Sequence, residues 1–152
     1  MTEIPVAIAD TNALYRLFTP KDPHHEAHRK ALAGTGHLVV SPMVLTELDY
    51  LLTSRVGTGA ALNALEFIAR QAESRRFEIP DAAPHLRSAM AVMRGYADLD
   101  GGRGVGLADA MNVALAATFQ TADLFTSDRH FRVLRPLTSH PAFRLLPADL
   151  AA

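Results

Sequence analysis

Two patterns of apolar residues alternate along the chain. Short apolar runs predict five strands, over residues 6–9, 38–40, 77–79, 123–126 and 143–146. The stretches between them carry apolar residues three or four positions apart, which predicts helices over 12–18, 24–33, 60–75, 84–96 and 107–119, and another helix after Ser41-Pro42. The pattern therefore predicts strands that alternate with helices.

This alternation decides the fold class. A helical stretch between two strands is a crossover connection, and crossover connections join parallel strands. We therefore predict an α/β fold with a mostly parallel sheet of four to five strands and helices on both faces. The 152 residues have the usual size of one domain, so we expect a single domain over 1–152.

Composition narrows the possible function classes. The chain has no cysteine, which excludes disulfides and thiolate metal sites, so a metal ion would be held by oxygen or histidine. It shows no signal peptide and no apolar run of bilayer-spanning length, so we expect a cytoplasmic protein with no membrane contact. With a net charge of −1, the chain cannot bind nucleic acid through an overall positive charge. Any polyanion would have to be held locally, by patches or through metal ions.

Four acidic residues occupy positions that should meet in space. Asp10 directly follows the first strand, and Asp128 directly follows the fourth. Glu47 and Asp109 lie in the first turns of predicted helices. In a right-handed doubly wound sheet, the strand ends and the beginnings of the following helices face the same edge, where ligands bind. We therefore expect the four side chains to converge there.

Converging carboxylates require a counter-charge. Two of them about 4 Å apart repel by roughly 4 kcal/mol at an effective dielectric near 20, so the group would take up protons or separate unless a cation neutralised it. Carboxylate and water ligands suit Mg²⁺ or Mn²⁺, and Mg²⁺ commonly completes its shell with phosphate. The acidic group therefore indicates metal-dependent phosphoester chemistry.

Each acid also has an ordinary structural explanation. Asp10 suits a helix cap, and Glu47 suits a solvated helix face. Asp109 suits the positive end of a helix, and Asp128 suits a turn. Asp98, at the border of the glycine-rich loop 101–106, is a further candidate for the site or merely an exposed acid.

Three other features suggest weaker sites. His24 and His28 have metal-ligand spacing on one helix, but no acid directly follows the first histidine, as it does in zinc proteases, so we expect a solvated face. The glycines of 101–106 lack the phasing of a dinucleotide fingerprint. The arginines after Asp128 could hold RNA phosphates or simply form a basic surface; they are Arg129, Arg132 and Arg135.

Four motifs together resemble one known family. They are Asp10-Thr11-Asn12, Thr46-Glu47, Tyr96-Ala97-Asp98 followed by Gly106-Leu107-Ala108-Asp109-Ala110, and Thr126-Ser127-Asp128-Arg129-His130-Phe131. In order and spacing they are similar to the PIN domain, and more narrowly to the VapC toxins of bacterial toxin–antitoxin pairs. The resemblance covers essentially the whole chain. It departs from the family at Asn112, a place that is often apolar, and in a longer glycine loop.

The resemblance implies a three-layer α/β/α PIN-like fold and a Mg²⁺- or Mn²⁺-dependent endoribonuclease that uses a metal-activated water. It also implies a homodimer that is inhibited by a cognate VapB antitoxin. The family's principal acids correspond to Asp10, Glu47 and Asp109, its fourth acid to Asp128, and a frequent extra acid to Asp98. Supporting polar residues correspond to Thr11 and Asn12, and Ser127 is expected to support Asp128 in the same way.

Two other functions fit the residues less well. A non-catalytic PIN-like module that binds a protein partner would have no reason to keep mutually repelling carboxylates. A small-molecule phosphohydrolase would carry an Asp-x-Asp pair after the first strand, whereas this chain has Asp10-Thr11-Asn12.

Overall fold

The computed structural model describes residues 4–150, whose centre is a five-stranded sheet. The strands are β1 (Ile4–Ala9), β2 (Thr35–Val40), β3 (Phe77–Glu78), β4 (Asp123–Phe125) and β5 (Arg144–Leu146). They lie in the order β3-β2-β1-β4-β5, and every neighbouring pair is parallel. The predicted, mostly parallel α/β sheet is confirmed. It has five strands, the larger of the two numbers expected.

Within residues 4–150, six α-helices connect or flank the strands. They are α1 (Thr11–Leu17), α2 (His25–Ala33), α3 (Pro42–Arg55), α4 (Thr58–Glu73), α5 (Leu86–Gly95) and α6 (Leu107–Thr118). Short 3₁₀ helices cover Ala83–His85, Arg129–Arg132 and Ala148–Leu150. The helix predicted to begin at residue 84 begins at Leu86 instead, because Pro84 lies inside the preceding 3₁₀ helix.

The sheet separates two apolar layers. Successive side chains of a strand point to opposite faces, so Ala7 and Ala9 pack into one cluster and Ile8 into the other. The first cluster contains the buried residues of α1, α2, α3 and α4, and the second contains those of α5 and α6. The protein is therefore a three-layer α/β/α fold.

The strand order places a ligand crevice at the middle of the sheet. From β1 the chain runs outward through β2 and β3, and it then returns to β4 on the other side of β1. The order thus reverses between β1 and β4, and open α/β sheets bind ligands outside the strand ends at such a point. Asp10 follows β1 there, and its backbone N–H donates to the carbonyl of Phe125 at the end of β4 at 2.9 Å.

One expectation about the surface is wrong. His28 is 1% exposed, not part of a solvated face, and its ring packs against Phe125 with 5.4 Å between the ring centroids. On α4 the buried residues include Ala61 and Ala64, whereas Leu62 is 62% exposed. Helix α4 therefore packs through small residues and leaves a large apolar side chain in solvent.

The described helices are also too short or too polar to cross a bilayer.

Candidate active site

Asp10 is held by the end of β1 and the start of α1. Its carboxylate caps α1 by accepting the backbone N–H of Thr11 at 2.8 Å. The same carboxylate lies in the cavity at the sheet edge. The helix-cap role and the candidate-site role, which the sequence left as alternatives, therefore belong to one side chain.

Thr126, the residue after β4, supports the carboxylate of Asp10. Its hydroxyl donates to Asp10 Oδ2 at 2.7 Å and accepts the backbone N–H of Asp128 at 3.0 Å. Thr126 is fully buried. One hydroxyl thus links the acid that follows β1 to the acid that follows β4.

Three carboxylates come together at this point from three different elements. Asp10, Asp109 and Asp128 each offer an oxygen, and these oxygens lie within 4.8 Å of one another. Asp109 lies in the first turn of α6, and Asp128 caps the 3₁₀ helix that follows β4 by accepting the N–H of His130 at 2.9 Å. Oxygens at these separations suit a shared divalent ion.

Glu47 lies beside this group, not within it. It is exposed on α3 and accepts the hydroxyl proton of Thr11 at 2.8 Å. It nevertheless lines the same cavity of about 590 Å³ as the three aspartates. Thr11 therefore joins the two acids: its backbone N–H donates to Asp10, and its hydroxyl donates to Glu47.

Burial and mutual repulsion raise the pKa values of two of these acids. The pKa of Asp109 rises to about 7, first because burial disfavours the charged form and then because Asp10, Asp128 and Glu47 repel it. The pKa of Asp10 is also raised, chiefly by burial, and the hydrogen bonds from Thr126 and Thr11 limit the rise. Without a cation, the group therefore holds protons that ordinary aspartates would lose.

The other predicted supporting residues lie near the site with different contacts. The side-chain amide of Asn12 donates a long hydrogen bond to Asp10 Oδ2 at 3.4 Å. Its Oδ1 accepts a hydrogen bond from the backbone N–H of Ser127 at 3.0 Å. Ser127 is exposed, and the contact to the Asp128 backbone comes from Thr126. Asp98 is exposed and is not among the residues that line the cavity.

The three arginines after Asp128 differ in the contacts that they make. The guanidinium of Arg132 forms two hydrogen bonds of 2.7 Å with the Asp149 carboxylate. Arg129 and Arg135 are exposed, and the backbone N–H of Arg135 donates to the hydroxyl of Tyr96. An RNA phosphate at Arg132 would therefore have to compete with Asp149.

Sequence reasoning missed three residues of this region. Thr126 was seen only as part of a motif, although a hydroxyl two residues before an acid is a recognisable turn signal. Tyr50, one helical turn after Glu47, lines the cavity. His130 lies with its Nδ1 3.5 Å from Asp128 Oδ1, and its electrostatic interaction with Asp109 lowers the pKa of that carboxyl. No sequence signal separates His130 from an ordinary surface histidine.

Comparison with known families identifies this arrangement. Residues 7–135 match the PIN domain, and that span contains all four acids. The chain belongs to the PIN domain family. Within it, the chain is 38% identical over 133 residues to ribonuclease VapC26 of Mycobacterium tuberculosis, with 86% of this chain and 93% of the relative covered. The predicted membership of the VapC branch of PIN proteins is confirmed.

Solved structures share the fold of this PIN domain. VapC20 of Mycobacterium tuberculosis, a sarcin-ricin loop cleaving toxin, matches with a TM-score of 0.64 and 21% identity over 82% of this chain and 90% of that one. A chain of VapBC2 from Rickettsia felis, bound to a promoter DNA fragment, matches with a TM-score of 0.64 and 16% identity over 92% and 98%. A chain of a toxin–antitoxin complex from Klebsiella pneumoniae matches with a TM-score of 0.60 and 19% identity over 91% and 99%.

Proposed function

We propose that this PIN domain is a VapC-type toxin, a Mg²⁺- or Mn²⁺-dependent endoribonuclease that hydrolyses RNA phosphodiester bonds. The observation that carries the proposal is the approach of Asp10, Asp109 and Asp128, with oxygens within 4.8 Å of one another. Three carboxylates this close are costly unless a cation neutralises them. The relative VapC26, at 38% identity, is a ribonuclease, which supports RNA as the substrate.

The donor set fits a hard divalent ion. All the candidate ligands are carboxylate oxygens, which suit Mg²⁺ or Mn²⁺ better than zinc or copper. In this proposal Asp10, Asp109 and Asp128 hold the ion, and Glu47 completes the site from α3. When bound, the ion supplies the positive charge that polarises a phosphodiester and lowers the pKa of an attacking water.

The remaining residues prepare the acids for this role. Thr126 and Thr11 donate hydrogen bonds that favour the ionised form of Asp10. Because Thr11 also donates to Glu47, it holds the α3 acid towards the other three. Asp98 would act only if its loop moved closer, and we assign it a secondary role at most.

Arg129 and Arg132 are the proposed RNA phosphate contacts. Both lie in the 3₁₀ helix Arg129–Arg132, which begins at the residue after Asp128 and is capped by its carboxylate. Arg129 is exposed, whereas Arg132 would exchange the Asp149 carboxylate for a phosphate. Arg129 therefore carries the larger share of this role.

We further propose that a cognate VapB-type antitoxin inhibits the protein and that the toxin forms a homodimer in the cytoplasm, where its RNA substrate lies. The apolar side chains exposed at the end of α3 and on α4 support a protein-binding face, among them Val56 and Leu62. The similarity to a chain of VapBC2 from Rickettsia felis supports the antitoxin. Co-expression with the product of the adjacent upstream reading frame tests it: the isolated toxin should cleave RNA and the complex should not.

The nuclease assay uses protein freed of any partner, with total RNA and Mg²⁺ or Mn²⁺. We expect cleavage that EDTA abolishes and that Asp10→Asn reduces at least 100-fold, while Asp81→Asn, a change of an exposed acid outside the cavity, leaves the rate unchanged. Cleavage that persists in EDTA or in Asp10→Asn would overturn the mechanism. Absence of both cleavage and Mn²⁺ binding would favour a non-catalytic protein-binding module.

A further inference from the structure

An aromatic ring at the edge of the carboxylate cavity has no role in the proposed metal site. Tyr50 is 71% exposed, yet it lines the cavity together with the acids. Among the residues that the structure describes, its ring and hydroxyl have no hydrogen bond, ring contact or cation partner; only its backbone carbonyl accepts a bond, from Ser54. A large, rigid, unpartnered ring beside a reaction site is suited to contact a ligand.

The position of Tyr50 is fixed relative to the acids. Tyr50 and Glu47 are three residues apart on α3, so they share one face of the helix, about 4.5 Å apart along its axis. α3 is anchored by the buried side chains of Val44, Leu48 and Leu52. The backbone of Tyr50 is therefore fixed one helical turn from Glu47, and its side chain lines the cavity that contains the carboxylates.

The lining of the carboxylate cavity offers no cationic side chain to an RNA phosphate. The cavity is lined by acids, neutral polar residues and two larger side chains, without any lysine or arginine; the lining is Asp10, Thr11, Asn12, Thr46, Glu47, Tyr50, Leu51, Asp109 and Asp128. The whole chain has a net charge of −1. Arg129, the proposed phosphate contact, lies outside this lining, so base stacking on an aromatic ring adds binding energy that the lining's own charges do not supply.

We propose that Tyr50 is the stacking platform for an unpaired nucleobase beside the cleaved phosphodiester. A base inside a duplex is covered on both faces by its neighbours, so it reaches a ring only when it is unpaired or flipped out. This inference rests on the proposed ribonuclease function and adds a substrate-binding residue to it.

The cavity distinguishes Tyr50 from the other exposed apolar side chains. Val56 and Leu62 are 57% and 62% exposed, but they do not line the carboxylate cavity. A protein-docking face would use these residues together with Tyr50. A base at the site of cleavage would use Tyr50 and not the other two.

The test compares Tyr50→Ala, Tyr50→Phe and the control Leu62→Ala. Single-stranded RNA oligonucleotides carrying 2-aminopurine are mixed with each protein, and fluorescence quenching reports stacking while product formation reports cleavage. We expect wild type and Tyr50→Phe to quench and cleave alike, because both keep the ring. Tyr50→Ala should lose the quenching and raise KM about 5- to 150-fold, the range of one stacking contact, with kcat changed less than 2-fold. The same RNA annealed to its complement should be cleaved at least 10-fold more slowly by wild type.

The outcomes separate this inference from the nuclease proposal. Calorimetric titration with Mn²⁺ alone should give the same affinity for Tyr50→Ala and wild type, since Tyr50 is not a ligand. If wild type binds RNA with quenching that Tyr50→Ala loses, but cleaves nothing, the stacking role stands and the nuclease proposal fails. Unchanged quenching and KM in Tyr50→Ala, or equal cleavage of annealed RNA, would overturn the stacking role. Should Tyr50→Ala and Leu62→Ala only weaken self-association, Tyr50 belongs to a protein-docking face instead.

Discussion

The Thr126 hydroxyl donates to Asp10 Oδ2 at 2.7 Å, across the point where the strand order of the sheet reverses. The bond favours the ionised form of Asp10 against a burial effect that raises its pKa. Thr126 also accepts the backbone N–H of Asp128 at 3.0 Å. A single buried hydroxyl therefore orients one acid and holds the backbone of another.

Replacing this hydroxyl should weaken metal binding more than folding. In Thr126→Val the shape is nearly kept, but the donor to Asp10 is lost, so the pKa of Asp10 should rise further. We expect Mn²⁺ affinity to fall about 10- to 100-fold, as for other residues that support metal ligands, when measured by calorimetry at pH 7. Thr126→Ser restores the donor and is the matched control. Equal Mn²⁺ affinity in Thr126→Val and wild type would contradict this role.

The raised pKa of Asp109 makes the stability of the metal-free protein depend on pH. The pKa in the folded chain is about 7, above the unfolded value of about 3.9. The folded state therefore binds more protons between these values, and stability is lost as the pH rises through that window. In EDTA at pH 8, Asp109→Asn should be more stable than wild type by on the order of 3 kcal/mol.

Urea unfolding at several pH values checks this prediction. The stabilisation by Asp109→Asn should shrink as the pH falls towards 4, because wild-type Asp109 is then protonated in the folded state. Asp10 contributes with the same sign, since burial raises its pKa too. Asp81→Asn, at an exposed acid, should show no such trend. If the stabilisation by Asp109→Asn did not depend on pH, burial and repulsion would not be raising the pKa of Asp109 in the folded protein.

We predict that Asn112 positions the metal-binding acids and that its burial lowers the stability of the folded protein. It is 1% exposed on α6, donates to the carbonyl of Ala9 at 3.3 Å, and its Oδ1 has no donor within the described residues. An unpaired buried acceptor costs about 1–3 kcal/mol. The single bond ties the helix that carries Asp109 to the residue before Asp10. Asn112→Leu should therefore keep or raise stability while lowering Mn²⁺ affinity several-fold.

Thermal unfolding and Mn²⁺ titration of the same variants decide this point. Asn112→Ala, which also removes the bond but leaves a cavity, should lose both stability and Mn²⁺ affinity. If Asn112→Leu binds Mn²⁺ as tightly as wild type, the amide does not position the acids.

Much of this protein follows from local patterns in its sequence. The strand that ends at Asp10 and the helix that begins after Ser41 are marked by apolar periodicity and by residues that cap or start helices. These signals depend on neighbours within a few positions, so they are visible without the fold. The parallel sheet then follows because helices separate its strands. The same logic placed Asp10, Asp109 and Asp128 at one edge, where the structure brings them together.

Contacts between distant segments were decided only by the tertiary structure. The link from Thr126 to Asp10 joins residues 116 positions apart, and Ser127, the expected supporter, is exposed. His28 is buried because its ring packs against Phe125 at the end of β4, although its own helix is mostly polar. Local sequence determines which backbone each segment adopts and which residue types it offers. Which side chains touch across the sheet depends on packing between elements, and no short-range pattern encodes that.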